Sequence, residues 1–179
     1  LEAGEEVAEV ETGEGAEGVA VTPDGSQVWV TNRAADTVTV LGAASLDTLA
    51  VLESPSFPIR AEVTPDGEHV LVSNARSGDL SVFATAEPEL VRRVPLPAPE
   101  ADTEGRLFGD RFGASSVPIG IEIAPDGSVA WVAHANADAI SVVDLQTWEV
   151  TGYVTAGREP DGMAFTPLAV GAPGAGRDR

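Results

Sequence analysis

The chain has 179 residues, of which 29 are Asp or Glu and 10 are Arg, with no Lys at all, so its formal charge is −19. That balance excludes nucleic acid and anionic membrane surfaces as partners, because non-specific affinity for a phosphate backbone comes from clustered cations releasing counterions. The absence of Cys removes disulfides, iron–sulfur clusters, covalent c-type haem and thiol nucleophiles together.

A hydrophobic share of 43% on this length suits one domain with a buried core. No apolar run approaches the ~20 residues that span a bilayer, and no charged and apolar leader opens the sequence. The first residue is Leu1 rather than Met, so the expectation is that an N-terminal segment has been lost or processed away. A strongly acidic surface stays soluble at high ionic strength, which fits a periplasmic, extracellular or cell-surface setting.

Taken in chain order, the sequence repeats. The stretches Val21-Thr22-Pro23-Asp24-Gly25, Val63-Thr64-Pro65-Asp66-Gly67 and Ile123-Ala124-Pro125-Asp126-Gly127 are one motif, and Phe165-Thr166-Pro167 is a truncated fourth copy. Their prolines are 42, 60 and 42 residues apart, so the middle interval carries 18 extra residues. Each copy reads as a short strand, a Pro-Asp-Gly turn, then three more strands separated by polar loops. In the first copy the strands are 18–22, 27–31, 37–41 and 48–52; in the third they are 120–124, 129–133, 139–143 and 149–154. Proline presets φ and glycine supplies the positive φ of the turn, so these segments predict antiparallel hairpins. Four such strands per ~40–45 residues predict an all-β chain of propeller blades.

The motif Trp29-Val30-Thr31-Asn32 followed by Thr37-Val38-Thr39-Val40 resembles the YVTN-type β-propeller repeat, with Trp in place of Tyr. Leu71-Val72-Ser73-Asn74 and Trp131-Val132-Ala133-His134 are looser copies. The resemblance covers nearly the whole chain and implies a propeller fold. For function it implies a range, from surface-layer modules and periplasmic binding proteins to relatives of lactonases and of haem-d1 or quinone-associated domains.

The expected organisation follows the repeat. Residues 1–12 end on the last strand of an incomplete blade, since Val7 to Val10 resemble Val150 to Val154. Residues 13–54, 55–96 and 117–157 are three whole blades, 97–116 is an inserted loop, 158–168 is the first strand of a further blade, and 169–179 is a flexible tail. A ring needs about 4–8 blades. The sequence is therefore read as the C-terminal part of a ring of roughly seven, completed by missing N-terminal blades, with self-association as the alternative.

Candidate site residues lie where the copies differ. The innermost strand carries Glu62 and Glu122 on adjacent blades, with Arg60 two residues before one of them and Asp161 at the corresponding approach in the fourth copy. Paired carboxylates there can bind a hard cation or exchange protons; equally, they can be solvated acids lining a channel, one balanced by Arg60. His134 replaces Asn32 and Asn74, which cap the loop after the second strand, and Asn136 is placed to take over that capping. As a catalytic residue His134 would be a general base or metal ligand. In the insertion, Arg106 and Arg111 beside Phe108 and Phe112 can offer guanidinium groups to an anionic ligand, or the rings can pin the loop.

Asp24, Asp66 and Asp126 are turn residues, because their loops lack calcium-ligand spacing. Trp29 and Trp131 are expected in the inter-blade core, Trp148 on a fourth strand near the rim, and His69 at the surface. No catalytic motif, cofactor fingerprint or metal motif is present. The sequence thus predicts a non-catalytic scaffold that binds a small molecule or protein at the channel mouth and the 95–117 loop, with a lactonase-like hydrolase using Glu62, Glu122 and His134 as the alternative.

Overall fold

The computed structural model describes residue 6, residues 8–99 and residues 103–167. It contains three four-stranded antiparallel sheets joined in sequence. The first comprises β1 (Ala16–Val21), β2 (Gln27–Asn32), β3 (Thr37–Gly42) and β4 (Thr48–Glu53). The second comprises β5 (Pro58–Val63), β6 (His69–Asn74), β7 (Asp79–Ala84) and β8 (Glu89–Pro95). The third comprises β9 (Pro118–Ile123), β10 (Val129–His134), β11 (Ala139–Asp144) and β12 (Glu149–Thr155). These are propeller blades, and in the first and third of them the strand bounds agree with the sequence reading to within two residues.

The Pro-Asp-Gly turns explain why each blade begins as a hairpin. Gly25, Gly67 and Gly127 all have φ between 70° and 76°, a region open to glycine without steric cost. Asp24 accepts hydrogen bonds from the Thr22 hydroxyl at 2.6 Å and the Ser26 amide at 2.9 Å, and Asp66 repeats this with Thr64 and Glu68. Asp126 accepts from the Ser128 amide and hydroxyl. These bonds hold all three carboxyls below their ordinary range, which is turn chemistry rather than ion binding.

The core lies between blades. Trp29, Val38 and Val40 of the first sheet meet Ala61, Val70, Val72 and Phe83 of the second. Leu71, Leu80 and Val82 of the second meet Ile121, Ile123 and Val132 of the third. Contact is dense among β1, β5 and β9 and sparse between β4 and β8, so the first strands converge and the fourth strands splay, as blades around an axis must.

Repeated bonds fix the blade-to-blade spacing. The Thr31 hydroxyl reaches the Ile59 carbonyl at 3.3 Å, and the Ser73 hydroxyl reaches the Ile119 carbonyl at 2.6 Å. At Gly18, a Cβ would stand 2.7 Å from the Ile59 carbonyl oxygen, so only glycine admits this approach. Gly120 meets the Asp161 carbonyl in the same way, even more closely. Residues 160–167 form no strand but occupy the place of a next first strand. Gly15, Phe57, Val117 and Glu159, each eight residues before a turn proline, all have positive φ.

Other expectations are corrected. Ala8–Val10 pair with no strand among the described residues, and Val7 lies outside them. The tail at 169–179 also lies outside them. Trp131 is half-buried, not core, because no described blade covers the flank it faces. Trp148 sits in the turn before β12 with φ 61°, its ring edge against the half-buried His69 at 5.5 Å.

Candidate functional site

The turns after the second strands, together with the segments leading into the first strands, gather at one end of the blades. The inserted loop folds onto this end. Phe108 and Phe112 pack with Phe57, Ile59, Ala75, Val117, Ile119 and Ala135, so aromatic burial pins the loop. Arg106 is almost wholly buried and holds Asp138 through both nitrogens, at 2.5 and 2.7 Å, while also donating to the Ala135 carbonyl. The Arg106 hydrogen bonds, with that from the Glu159 amide, keep Asp138 well below the ordinary carboxylate range. Arg106 is thus a clamp for the loop rather than a group offered to a ligand. Arg158 donates to the Gly105 carbonyl, and Glu159 accepts from the Leu107 amide, gripping the loop from the far side.

Beneath the loop, at the converging first strands, is a cavity of about 250 Å3 lined by Glu17, Arg60, Phe108, Glu159 and Asp161, among others. Arg60 spans it, with Glu17 at 3.1 Å and Asp161 at 3.8 Å, and Glu17 also pairs with Arg33 at 2.5 Å. Arg60 therefore balances Glu17 and Asp161, not Glu62 as its spacing suggested. Glu17 and Arg33 were not singled out by the sequence, because nothing local in it shows that this strand start meets both a turn residue of its own blade and Arg60 of the next.

Glu62 and Glu122 lie on the adjacent inner strands β5 and β9. Burial pushes the Glu62 carboxyl up, and the nearby Glu122 charge adds to the effect. Glu122 accepts the Phe165 amide at 3.0 Å, which fixes one of its oxygens to the segment beside β9. Among the described residues no group of three His, Cys, Asp or Glu side chains is arranged to hold a metal ion.

His134 is fully buried and does the work of the asparagines it replaces. Asn32 links the Gly13 amide to Thr39, and Asn74 links Ser54 to Ser81. His134 links Ser116, 2.7 Å from Nδ1, to Ser141, 2.9 Å from Nε2. Burial lowers its pKa to about 4, so the ring is neutral and both nitrogens are occupied. Asn136 does not take over the cap; it donates to the Gly109 carbonyl at 2.7 Å, tying down the inserted loop, and its buried Oδ1 has no partner among the described residues.

Beside the loop opens a larger cleft of about 850 Å3, lined by Arg76, Leu96, Pro97, Phe112, Ser115 and Asn136, among others. Arg76 and Arg111 stand over the Phe112 ring at 5.4 and 5.3 Å, and both also approach Phe57. Arg33 stands over Phe57 at 5.4 Å. The two rings are 4.8 Å apart, so the cations share one aromatic platform.

Comparison with known proteins supports the propeller fold. The family described as Lactonase, 7-bladed beta-propeller, matches residues 4–92. Hydrazine synthase of Kuenenia stuttgartiensis is similar in structure, with a TM-score of 0.71 and 24% identity over 86% of this chain and 40% of that one. A Bacteroides uniformis protein assigned as a 6-phosphogluconolactonase gives 0.64 and 18% over 85% and 44%. A streptogramin B lyase gives 0.64 and 16% over 83% and 44%. The chain thus spans less than half the length of each of these solved structures. No curated protein matches it.

Proposed function

We propose that the chain contributes three blades to a YVTN-type propeller whose role is to bind a small molecule or protein on the loop-bearing face, in an extracytoplasmic setting. The carrying observation is the inserted loop. Its two phenylalanines and Arg106 fasten the extra residues over the blade ends, where they wall the 850 Å3 cleft and overhang the 250 Å3 cavity. Long loops anchored in this way on a rigid scaffold are where binding residues concentrate. Ring completion by further blades is part of the proposal. Val19, Val21, Leu49 and Val51 on one flank, and Val154 and Phe165 towards the other, are apolar and exposed, as blade-facing surfaces without a neighbour would be.

A hydrolase of the lactonase kind is the second reading. It is favoured by the family match over residues 4–92 and by the likeness to the 6-phosphogluconolactonase. With His134 engaged on both sides, that reading rests on Glu62 and Glu122, the former raised towards the protonated form a general acid needs. Proton release from a simple sugar lactone, followed at constant pH, separates the two. The binding reading expects the rate of the lactone in buffer alone. A faster rate that Glu62→Gln abolishes would overturn it in favour of the hydrolase.

A further inference from the structure

We propose that Arg76 and Arg111, on the platform of Phe57 and Phe112 beside the 850 Å3 cleft, form a binding site for the oxyanion of a small organic molecule, a carboxylate or phosphate attached to an apolar body. The inference deepens the binding reading above and rests on it. Five of the described arginines, namely Arg33, Arg60, Arg93, Arg106 and Arg158, are paired with carboxylates. Among the described residues Arg76, Arg111 and the outer-strand Arg92 are not, although acids outnumber arginines 29 to 10 in the chain. Arg76 and Arg111 are exposed, and both stand over both rings, with Arg33 over Phe57 beside them. Cations brought this close repel one another, and contact with the rings leaves the N–H donors of Arg111, and those of Arg76 not spent on Ser56, for a bidentate acceptor. Arg76 is further steadied by its bond to the Ser56 hydroxyl at 3.2 Å. Leu96, Pro97 and Phe112 supply an apolar wall to the cleft, so a bound anion need not be a bare ion.

Calorimetric titration of the 179-residue chain with phenyl phosphate, benzoate and benzyl alcohol tests this. The expected result is saturable binding of at least one anion, weakening as salt rises, with about tenfold loss in Arg76→Gln and in Arg111→Gln. Arg92→Gln, on the outer strand β8, should leave it unchanged. The two anions distinguish phosphate from carboxylate as the preferred group. Circular dichroism of each variant guards against misfolding, and Arg76→Lys, which keeps the charge but not the fork, should weaken binding by less than Arg76→Gln. Anion binding of equal strength in both Gln variants, or none at millimolar concentration, would overturn the proposal. If benzyl alcohol alone binds, or if no probe binds, the anion site falls while the binding reading, which also covers a protein ligand, stands or falls by the lactone test above.

Discussion

Trp29 and Trp131 hold the same place in the repeat, yet the first is fully buried and the second only half-buried. The first strands show the mirror image. Val19 is 60% exposed, whereas Ala61 and Ile121, at the same place in the next two blades, are 8% and 7% exposed. In every case the difference follows from whether a neighbouring blade stands against that flank. A blade's second-strand residue is buried by the following blade and its first-strand residue by the preceding one. The hydrophobic core of this fold therefore belongs to pairs of blades and not to single sheets. The polar links obey the same rule: Thr31 and Ser73 reach across to the next first strand, while Ala133, third in the series, has no hydroxyl to do so.

The sharpest way to break this comparison is to truncate both tryptophans. Trp29→Ala should cost about 3–5 kcal/mol in urea unfolding, and Trp131→Ala about 1 kcal/mol. Equal losses would mean that the Trp131 flank is covered in solution, and a midpoint that rises with protein concentration would identify the cover as a second copy.

The comparison of Asn74 with His134 is sharpened by pH. Folding holds the His134 pKa at about 4, so the unfolded chain takes up a proton first as the solution is acidified. Stability contributed by the neutral ring is thus complete above about pH 6.5 and is lost between there and about pH 4, by up to about 3 kcal/mol. His134→Asn, restoring the residue of the other copies, should remove that slope. Unfolding midpoints of the two proteins across this range give the difference, and parallel curves would refute the assignment.

A smaller effect is expected at the blade-to-blade bond. Ser73→Ala leaves the buried Ile119 carbonyl without its donor and should cost about 1 kcal/mol. Ala133→Ser should increase hydrogen-exchange protection in 160–167 if the same geometry repeats at the third blade. The smallest change is at the inner strands. Since burial and Glu122 raise Glu62, its charged form is a net cost, and Glu62→Gln should stabilise the chain at pH 7 by less than about 1 kcal/mol. That gain should shrink as acid protonates Glu62 in the native protein, which thermal melts at pH 7 and pH 4.5 would detect.

Much of the fold was legible because it is written locally and repeated. The Pro-Asp-Gly turns, two-residue alternation and 42-residue spacing placed the strands of the first and third blades near their observed bounds, though the strand expected in the fourth copy is not formed. The site was less legible. His134 reads as a catalytic candidate because histidine is rare here, but its partners Ser116 and Ser141 lie 18 and 7 residues away and make it a linker. Arg106 and Arg111 are five residues apart in one loop and look alike in sequence, yet one is buried against Asp138 and the other stacks in the open on Phe112. Arg76 was missed altogether, since its ring partners come from a lead-in segment and the insertion.

By itself, then, the sequence determined the repeat, the strands, the turn chemistry and the anionic character, because each depends on residues close together in the chain or on composition alone. The tertiary structure decided which tryptophan is core, which arginines are tied to acids and which converge on Phe57 and Phe112. These depend on contacts between blades and across the inserted loop, where burial and charge pairing are set by neighbours that local spacing does not encode.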